Sequence, residues 1–520
     1  MRLSAPRPIR CLAVANRGEA AMRCIRTVKT LRAFEGAALE VVALYTDADR
    51  DAPFVRHADR ALPLAPASSP VAAYLDREGV VQALRAAGAD AVWPGWGFLA
   101  EDPGFVERCT ALGVRFLGPP AAAMRTLGDK IDAKRLAEVE GVPVLPWSGG
   151  EVEDEHQAAR AAAAIGYPLL VKASAGGGGR GIRMVAAPGE LAAALRSAKA
   201  EALAAFGDER VFLEAAVRGG RHVEVQIVAD ERGAVHAVGC RDCSVQRRHQ
   251  KVIEEAPAPA LSKETRTTLH AAAERAARAL AYRNAGTVEF LVDGAGRAYF
   301  LEVNRRLQVE HPVTEAIFGI DLVEWQLRVA AGERLPPEGT WTPHGHAVEA
   351  RVCAEDPARG FLPASGTIVS LREPDGPGVR VDSGWEAPGE VPPWYDSLLM
   401  KVVAHGETRE RAIDRLDQAL SETAILGVAT NVAFLRRVLA DGDFRAARLS
   451  TDLLDTRTAS LAEDPPVPLE ALLAVAAADL LGVAREAAGR GSKDGAGPRS
   501  RPDPWTGLSG WRLTDEGVVP

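Results

Sequence analysis

The sequence predicts several folding units of mixed class, an N-terminal parallel α/β unit followed by α+β units, and three observations carry that prediction. Its 520 residues exceed what one hydrophobic core organises, and the length corresponds to about three or four units. The opening segment IRCLAVANRGEAAMRCIRTVKTLRAF and the following LEVVALYTDAD run apolar stretch, turn, helix-period pattern, apolar stretch, the order of a βαβ unit in a parallel sheet. Further along, β-rich runs face each other at hairpin spacing, most regularly in GTVEFLVDGAGRAYFLEVN, where Asp-Gly and Ala-Gly mark the tip.

Taken in order, ADAVWPGWGF and GVRFLGPP add strands that end in Gly/Pro punctuation, so residues 1–117 form the first α/β unit. AAAMRTLGDKIDAKRLAEVEG reads as a helical linker over 118–143. Residues 144–216 hold the strand YPLLVKAS, a glycine run, the strand GIRMVA, a helix and the strand RVFLEAAV, a small α+β module built around its glycines. Over 217–455, RHVEVQIVAD, AVHAVGC, AGTVEFLVD and RAYFLEVN alternate with helices in a larger α+β unit. In 456–520 an Ala/Leu helix, PLEALLAVAAADLLGVAREA, precedes GRGSKDGAGPRSRPDP, a flexible linker by composition, and WTGLSGWRLTDEGVVP, which reads as the start of a strand-bearing element. Both a fragment of a larger protein and a natural subunit fit this ending.

Composition excludes several function classes. Apolar residues at 47% and charged residues at 25% are ordinary for a soluble folded protein. A formal net charge of -8 provides no basic field for a phosphate backbone, so nucleic acid is not expected. The local basic cluster RDCSVQRRHQK asks for a smaller anionic partner. There is no apolar run of about 18 residues, and MRLSAPRP is too short for a signal or transit peptide; no membrane association and a cytoplasmic location are expected. Of six cysteines, only Cys240 and Cys243 form a CxxC. With no second pair or His partner at ligand spacing a structural zinc site is not expected, and reduced thiols fit a cytosolic enzyme.

Three stretches carry chemistry. In LLVKASAGGGGRGIRMV, glycines 176 to 179 lie between two strands, where backbone amides can approach a ligand closely, and Lys172 on the incoming strand points toward it; a polyphosphate suits this. A glycine run alone equally describes a floppy surface hairpin, and the P-loop pattern is absent. In the hairpin, a turn centred between Ala295 and Gly296 sets Glu289 opposite Glu302, two carboxylates that repel unless a divalent cation joins them. Mg²⁺ takes such hard oxygens when it also holds a nucleotide's phosphates, and Asn304 shares the face of Glu302. The alternative is two solvated glutamates. In FLEVNRRLQVEHPVTE, Arg306 and Gln308 could hold a small planar anion with Glu310 as a base toward it; a salt-bridged loop is the competing reading. His222 and Glu224 share one strand face in RHVEVQ, and QRRHQK adds Gln246, His249 and Lys251.

The motifs ANRGEAAMR, GFLAEDP, LGDK, VKASAGGGGRGIR, RHVEVQ, RDCSVQRRHQKVIEEAPAP, GTVEF, FLEVNRRLQVEHPVTE, GHAVEARVCAEDP, FLPASG and PPWYDSLLMKV occur here in this order. Together, over residues 9–450, they closely resemble the biotin carboxylases, the ATP-grasp component of acyl-CoA carboxylases and pyruvate carboxylase. The resemblance implies an ATP-grasp fold: an N-terminal parallel α/β domain, a glycine-loop lid over 144–216 and a C-terminal α+β domain over 217–455. It implies ATP contacts from Lys130, Lys172, Gly176, Gly177, Gly178, Gly179, His222, Glu224, Gln246 and His249, with Glu214 near the adenine. Glu289, Glu302 and Asn304 would hold Mg²⁺ or Mn²⁺. Lys251, Arg306, Gln308, the Val309 backbone and Glu310 would surround bicarbonate, with Arg351 at the biotin ureido group. Lys251, Arg306, Glu310 and Arg351 would be catalytic.

Three departures accompany the resemblance. WPGWGF, with Trp93 and Trp96, replaces the family's usual His-Pro-Gly-Tyr-Gly-Phe; Ala175 replaces the first glycine of the longer loop; Ala215 stands where a lysine often follows Glu214. The biotin attachment sequence Ala-Met-Lys-Met does not occur, so biotin is expected as a substrate borne by a separate carrier domain or protein, with a carboxyltransferase as second partner and an oligomeric assembly. Alternatives are another ATP-grasp ligase or a non-catalytic carboxylase subunit; RRLQVEHPVTE and GHAVEAR speak against the first, and the retained site residues against the second.

Overall fold

The computed structural model describes residues 7–176, 181–463, 467–489, 512–514 and 517–519. Gly177, Gly178 and Gly179, residues 490–504 of the linker and most of the last predicted element lie outside the described residues.

The first sheet is parallel, formed by β1 (Cys11–Val14), β2 (Glu40–Tyr45), β3 (Arg60–Pro63), β4 (Ala91–Trp93) and β5 (Arg115–Phe116) in the order β3-β2-β1-β4-β5. CLAV in β1 is buried throughout, as expected of a central parallel strand covered on both faces. Helix α1 (Gly18–Glu35) starts three residues after β1 and ends on Gly36 in the left-handed region. The turn between them is pinned by Asn16, whose Nδ2 donates to Pro94 O (2.7 Å) and Trp96 O (2.8 Å).

Helix α2 (Lys130–Val139) begins at Asp129, whose carboxylate accepts from Ile131 N and Asp132 N, an N-cap of the usual kind. Beyond it, β6 (Leu169–Ala173), β7 (Ile182–Val185) and β8 (Val211–Ala215) form a small antiparallel sheet in the order β7-β6-β8. The helices Glu155–Ile165 and Leu191–Phe206 cover it around Leu169, Val171, Leu195 and Leu213.

The large sheet is antiparallel, with eight strands: β9 (Arg221–Ala229), β10 (Val235–Arg247), β11 (Gln250–Ala256), β12 (Asn284–Val292), β13 (Ala298–Asn304), β14 (His346–Cys353), β15 (Val379–Ser383) and β16 (Leu398–Gly406), in the order β13-β12-β9-β10-β11-β14-β16-β15. Strand β10 is longer than AVHAVGC predicts. It continues through RDCSVQ, so part of the basic cluster is buried strand, and Cys240 and Cys243 are free, buried thiols within it. Helix α3 (His311–Phe318) follows the loop after β13; Pro312 lies in its first turn, where a missing N–H costs nothing.

The β12–β13 hairpin pairs Glu289 with Glu302, but by another route than simple counting. Val292↔Ala298, Leu291↔Tyr299 and Phe290↔Phe300 centre the turn on Ala295, and a register shift before the Glu289↔Glu302 pair restores the opposition. The loop is Gly294-Ala295-Gly296 with Gly296 at φ 79, closed by Asp293 N donating to Arg297 O; Asp293 Oδ1 accepts from Ala295 N and Arg297 N. Among the described residues no helix is long and apolar enough to cross a membrane.

Candidate active site

Sheet register alone assembles the centre of the site. Arg241 on β10 faces Glu224 on β9, Glu224 faces Glu289 on β12, and Glu289 faces Glu302 on β13. Side chains at opposed positions share a face, so this row is one cation and three carboxylates in line. Such a row repels itself unless further positive charge enters it.

Lys251, on β11, supplies that charge. Its Nζ lies 2.7 Å from Glu224, 2.8 Å from Glu289 and 2.6 Å from Glu310, with the side chain 12% exposed. The surrounding anions hold the ammonium well above its ordinary value although burial opposes it. Arg241 is fully buried and donates to Glu224, Gln226 Oε1 (2.8 Å), Thr314 Oγ1 (2.8 Å), Thr287 Oγ1 (3.1 Å) and Gln308 Oε1 (3.1 Å). It therefore orients both Glu224 and Gln308. Arg241 falls within the basic cluster RDCSVQRRHQK, and its place is not legible there because the strand runs on past AVHAVGC.

Glu310 sits at the start of α3 with one oxygen on Lys251 and the other 2.9 Å from Arg351 Nη2. Burial would raise its carboxyl, yet Lys251, Arg351 and Arg241 outweigh that and hold it well below the usual carboxylate range. Glu289 is held low in the same way, by Lys251 and then His222 against burial. Asn304 Nδ2 (2.7 Å) and Gln308 Nε2 (2.9 Å) also donate to Glu289 Oε1. Arg306 reaches this centre indirectly, through Nη2 on Asn304 Oδ1 (3.2 Å), and lies 3.7 Å from Glu101. Val309 contributes its carbonyl to Lys401 Nζ at 3.0 Å.

Glu302 is the more open carboxylate, its side chain 35% exposed and 3.8 Å from Lys130. Paired across adjacent strands, Glu289 and Glu302 offer hard oxygen donors, and this donor set fits Mg²⁺ or Mn²⁺. Two other groupings bring possible ligand atoms within 4.8 Å of one another: His222, Glu224 and Glu289, and Glu224, Cys243 and Glu310. Lys251 bonds to carboxylates of both, so the positive charge there belongs to the chain itself.

The expected nucleotide contacts divide among the linker helix α2, the small antiparallel sheet and the large sheet. Lys130 Nζ donates to Gly176 O, and Lys172 Nζ lies 2.7 Å from Glu214. Glu214, expected near the adenine, is buried with its carboxylate on Lys172 and on the buried Lys134. The Lys134 partnership is not visible from sequence spacing, because it joins a linker helix to a lid strand. Gln246 Nε2 lies 2.7 Å from His222 Nδ1, and His222 Nε2 lies 3.1 Å from Glu289. His249 stands apart: it is exposed at the β10–β11 turn with φ 64, and no described side chain bonds to it. Gly176 also has a positive φ, and a Cβ there would run into the Phe206 ring. Gly176→Ala is therefore expected to raise the KM for ATP, read by initial rates, at a cost of about 1 kcal/mol or more in lid stability.

Trp93 is wholly buried and its Nε1 donates to Gln326 Oε1 at 2.9 Å, which satisfies the polar edge a buried indole brings. Trp96 meets it edge-on, with ring centroids 6.1 Å apart, and lies 5.7 Å from the His311 ring. The two tryptophans are thus a packed layer behind the Glu310 loop.

Beneath Arg351 lie two glutamates that sequence reasoning also missed. Arg351 Nε donates to Glu254 (2.6 Å), and Glu254 faces Glu349 across β11 and β14. Burial pushes the Glu254 carboxyl up to about 7 against the pull of Arg351, and pushes Glu349 well above its ordinary value; neither Glu349 oxygen has a hydrogen-bond partner. A carboxyl raised on folding binds extra proton in the native state, so its stability contribution is lost as pH rises above the unfolded value. Glu349→Gln removes that loss. Its stability relative to wild type is expected to grow by about 1.4 kcal/mol per pH unit between pH 5 and the raised native value, read by denaturant unfolding at several pH values.

Three family models match in tandem: "Biotin carboxylase, N-terminal domain" over residues 8–124, "Carbamoyl-phosphate synthase L chain, ATP binding domain" over 129–338 and "Biotin carboxylase C-terminal domain" over 349–456. Among curated relatives, the chloroplastic biotin carboxylase of Arabidopsis thaliana is 44% identical over 86% of this chain and 83% of its own length. Biotin carboxylase of a Nostoc species is 43% identical over 85% of this chain and 97% of its own. Among solved structures, the biotin carboxylase domain dimer of Hydrogenobacter thermophilus 2-oxoglutarate carboxylase, in complex with MgADP, ADP and bicarbonate, superposes with a TM-score of 0.84 at 40% identity, covering 88% of this chain and all of that one.

Proposed function

The chain belongs to the biotin carboxylases, ATP-dependent ligases of ATP-grasp fold that carboxylate biotin with bicarbonate through carboxyphosphate, and we propose that the Lys251–Glu310–Arg351 cluster is where this chain does so. The carrying observation is that Lys251 and Arg351 grip opposite oxygens of one buried carboxylate.

In this reading bicarbonate enters between Lys251, Arg306 and Gln308, with the Val309 backbone alongside. Glu310 takes its proton as the bicarbonate oxygen attacks the γ-phosphorus of ATP, and ADP leaves. Carboxyphosphate then divides into CO₂ and phosphate, the phosphate accepts the biotin N1' proton, and Arg351 with Arg306 stabilises the ureido oxygen while N1' attacks CO₂. Glu289, Glu302 and Asn304 would hold Mg²⁺ or Mn²⁺, which when bound neutralises charge on the nucleotide phosphates. Lys130, Lys172 and the glycine segment would contact those phosphates, with His222, Glu224 and Gln246 on the sheet side and Glu214 and His249 at the margin.

The electrostatics add a requirement. A carboxylate held far below its ordinary value is ionised but a feeble base. An incoming anion that draws Lys251 and Arg351 onto itself frees Glu310 and raises its basicity, so the base is readied by its own substrate. Biotin would arrive on a carrier domain or protein and pass its carboxyl group to a carboxyltransferase, within an oligomer located in the cytoplasm.

The test is ADP release with Mg²⁺, ATP and bicarbonate, with and without free biotin, together with transfer of label from bicarbonate to biotin. Biotin-stimulated ADP release matched by labelled carboxybiotin supports the reading. ATP cleavage indifferent to biotin would point to another ATP-grasp ligase, and nucleotide binding without cleavage, even with a biotinylated carrier present, to a non-catalytic subunit.

A further inference from the structure

We propose that Lys401 is a positioning residue of the bicarbonate loop, fixing the peptide that carries Glu310. This rests on the placement of bicarbonate proposed above, and concerns the lysine of PPWYDSLLMKV, which pairs with Arg351 across β14 and β16 and whose ammonium bonds to none of the three carboxylates that hold Lys251.

The Lys401 side chain is 0% exposed. A buried ammonium survives only when paired and hydrogen-bonded, and each of its partners comes from a different part of the fold. Nζ donates to Val309 O at 3.0 Å. It lies 3.3 Å from Glu19 in the first turn of α1 and 3.7 Å from Asp382 on β15. The Trp96 ring, from the turn after β4, has its centroid 4.8 Å from the ammonium, within cation–π range.

Two carboxylates and an aromatic face would suffice to neutralise a lysine. The additional bond, to a main-chain carbonyl in the 305–310 loop, gives the arrangement direction. Because the peptide is planar, holding the Val309 carbonyl fixes the plane from which the Glu310 Cα departs. The neighbouring carbonyl, Gln308 O, is held from within the loop by His311 N (3.3 Å) and His311 Nδ1 (2.8 Å). Two successive peptides are thereby clamped, one locally by His311 and one from the opposite side by Lys401.

The aim of Lys401 is set in turn by close packing. A Cβ on Gly384 would overlap the Gly18–Glu19 backbone, so the chain after β15 presses directly on the start of α1. This seats Glu19 against the ammonium with no other hydrogen-bond partner for either carboxylate oxygen. The N-terminal α/β unit thus contributes Glu19 and Trp96 to the enclosure of the lysine. A role for Trp96 follows: it supplies one wall of the lysine's enclosure.

The experiment measures KM for bicarbonate and for ATP separately in four variants of the full chain. Lys401→Met is expected to raise the bicarbonate KM about tenfold or more, with the ATP KM within about twofold, and Lys401→Arg to recover part of the loss. If Lys401→Met does not fold, Glu19→Gln keeps Lys401 paired with Asp382 and is expected to raise the bicarbonate KM about threefold with ATP unaffected. Gln308→Ala tests the underlying placement: a raised bicarbonate KM supports it. Gln308→Ala raising the bicarbonate KM while the folded Lys401 and Glu19 variants leave it unchanged, or move both KM values by one common factor, would overturn the role of Lys401 alone. An unchanged bicarbonate KM in Gln308→Ala would overturn the placement and the inference with it.

Discussion

Glu310→Gln is expected to lower biotin-dependent ADP release by about 10²–10⁴-fold while leaving nucleotide affinity within about twofold of wild type. Gln keeps the size and an acceptor oxygen but cannot take a proton. The nucleotide should not notice, because the expected phosphate ligands Lys130 and Lys172 bond to Gly176 and Glu214 and not to Glu310. The measurement is a paired one, kcat by ADP release and nucleotide affinity by equilibrium titration. A variant with wild-type turnover would remove Glu310 from the chemistry and leave it as a structural partner of Lys251. The substitution also forfeits stability. The folded Glu310 carboxyl lies below its unfolded value, so its contribution is present above about pH 4.3 and is lost as pH falls toward the folded value. Wild type and variant should therefore converge in stability on acidification.

Lys251→Met is expected to be the most destabilising single change in the site, by about 3–5 kcal/mol. Three carboxylates, Glu224, Glu289 and Glu310, lose their shared cation at once, and like charges on neighbouring strands repel. The sign with pH is distinctive. Without Lys251, Glu289 and Glu310 lose the leading attraction that holds them low, so protonation relieves the repulsion and the deficit relative to wild type should shrink from pH 8 to pH 5.5. Thermal unfolding across that range reads this, and adding Glu224→Gln should restore part of the stability by removing one of the stranded charges. A deficit independent of pH would mean that packing of the lysine stem, not its charge, is what the site needs.

Local pattern along the chain accounts for one set of elements. The βαβ opening is legible because a buried parallel strand is a continuous apolar run and α1 repeats at the helical period. Glu289 and Glu302 were legible as a pair because a hairpin tip announces its register, although the turn centre was one half-step off and a bulge made up the difference. Glu310, Lys251, Arg306 and Arg351 were legible as members of ordered motifs, which name residues without showing what they touch.

The rest depends on contacts between segments far apart in the chain. The row Arg241, Glu224, Glu289, Glu302 exists only once four strands are in register, and Lys251 can neutralise it only from a fifth. Glu349 carries no sequence signal distinguishing it from a solvated glutamate; burial opposite Glu254 is what lifts its carboxyl. His249 and Gln246 stand three residues apart, yet a left-handed turn leaves the first in solvent and the second against His222. Lys401 lies 92 positions from the carbonyl it holds. Pattern reports which face of an element is apolar, whereas charge compensation is a property of the space where elements meet, and that space is set by the packing of the whole chain.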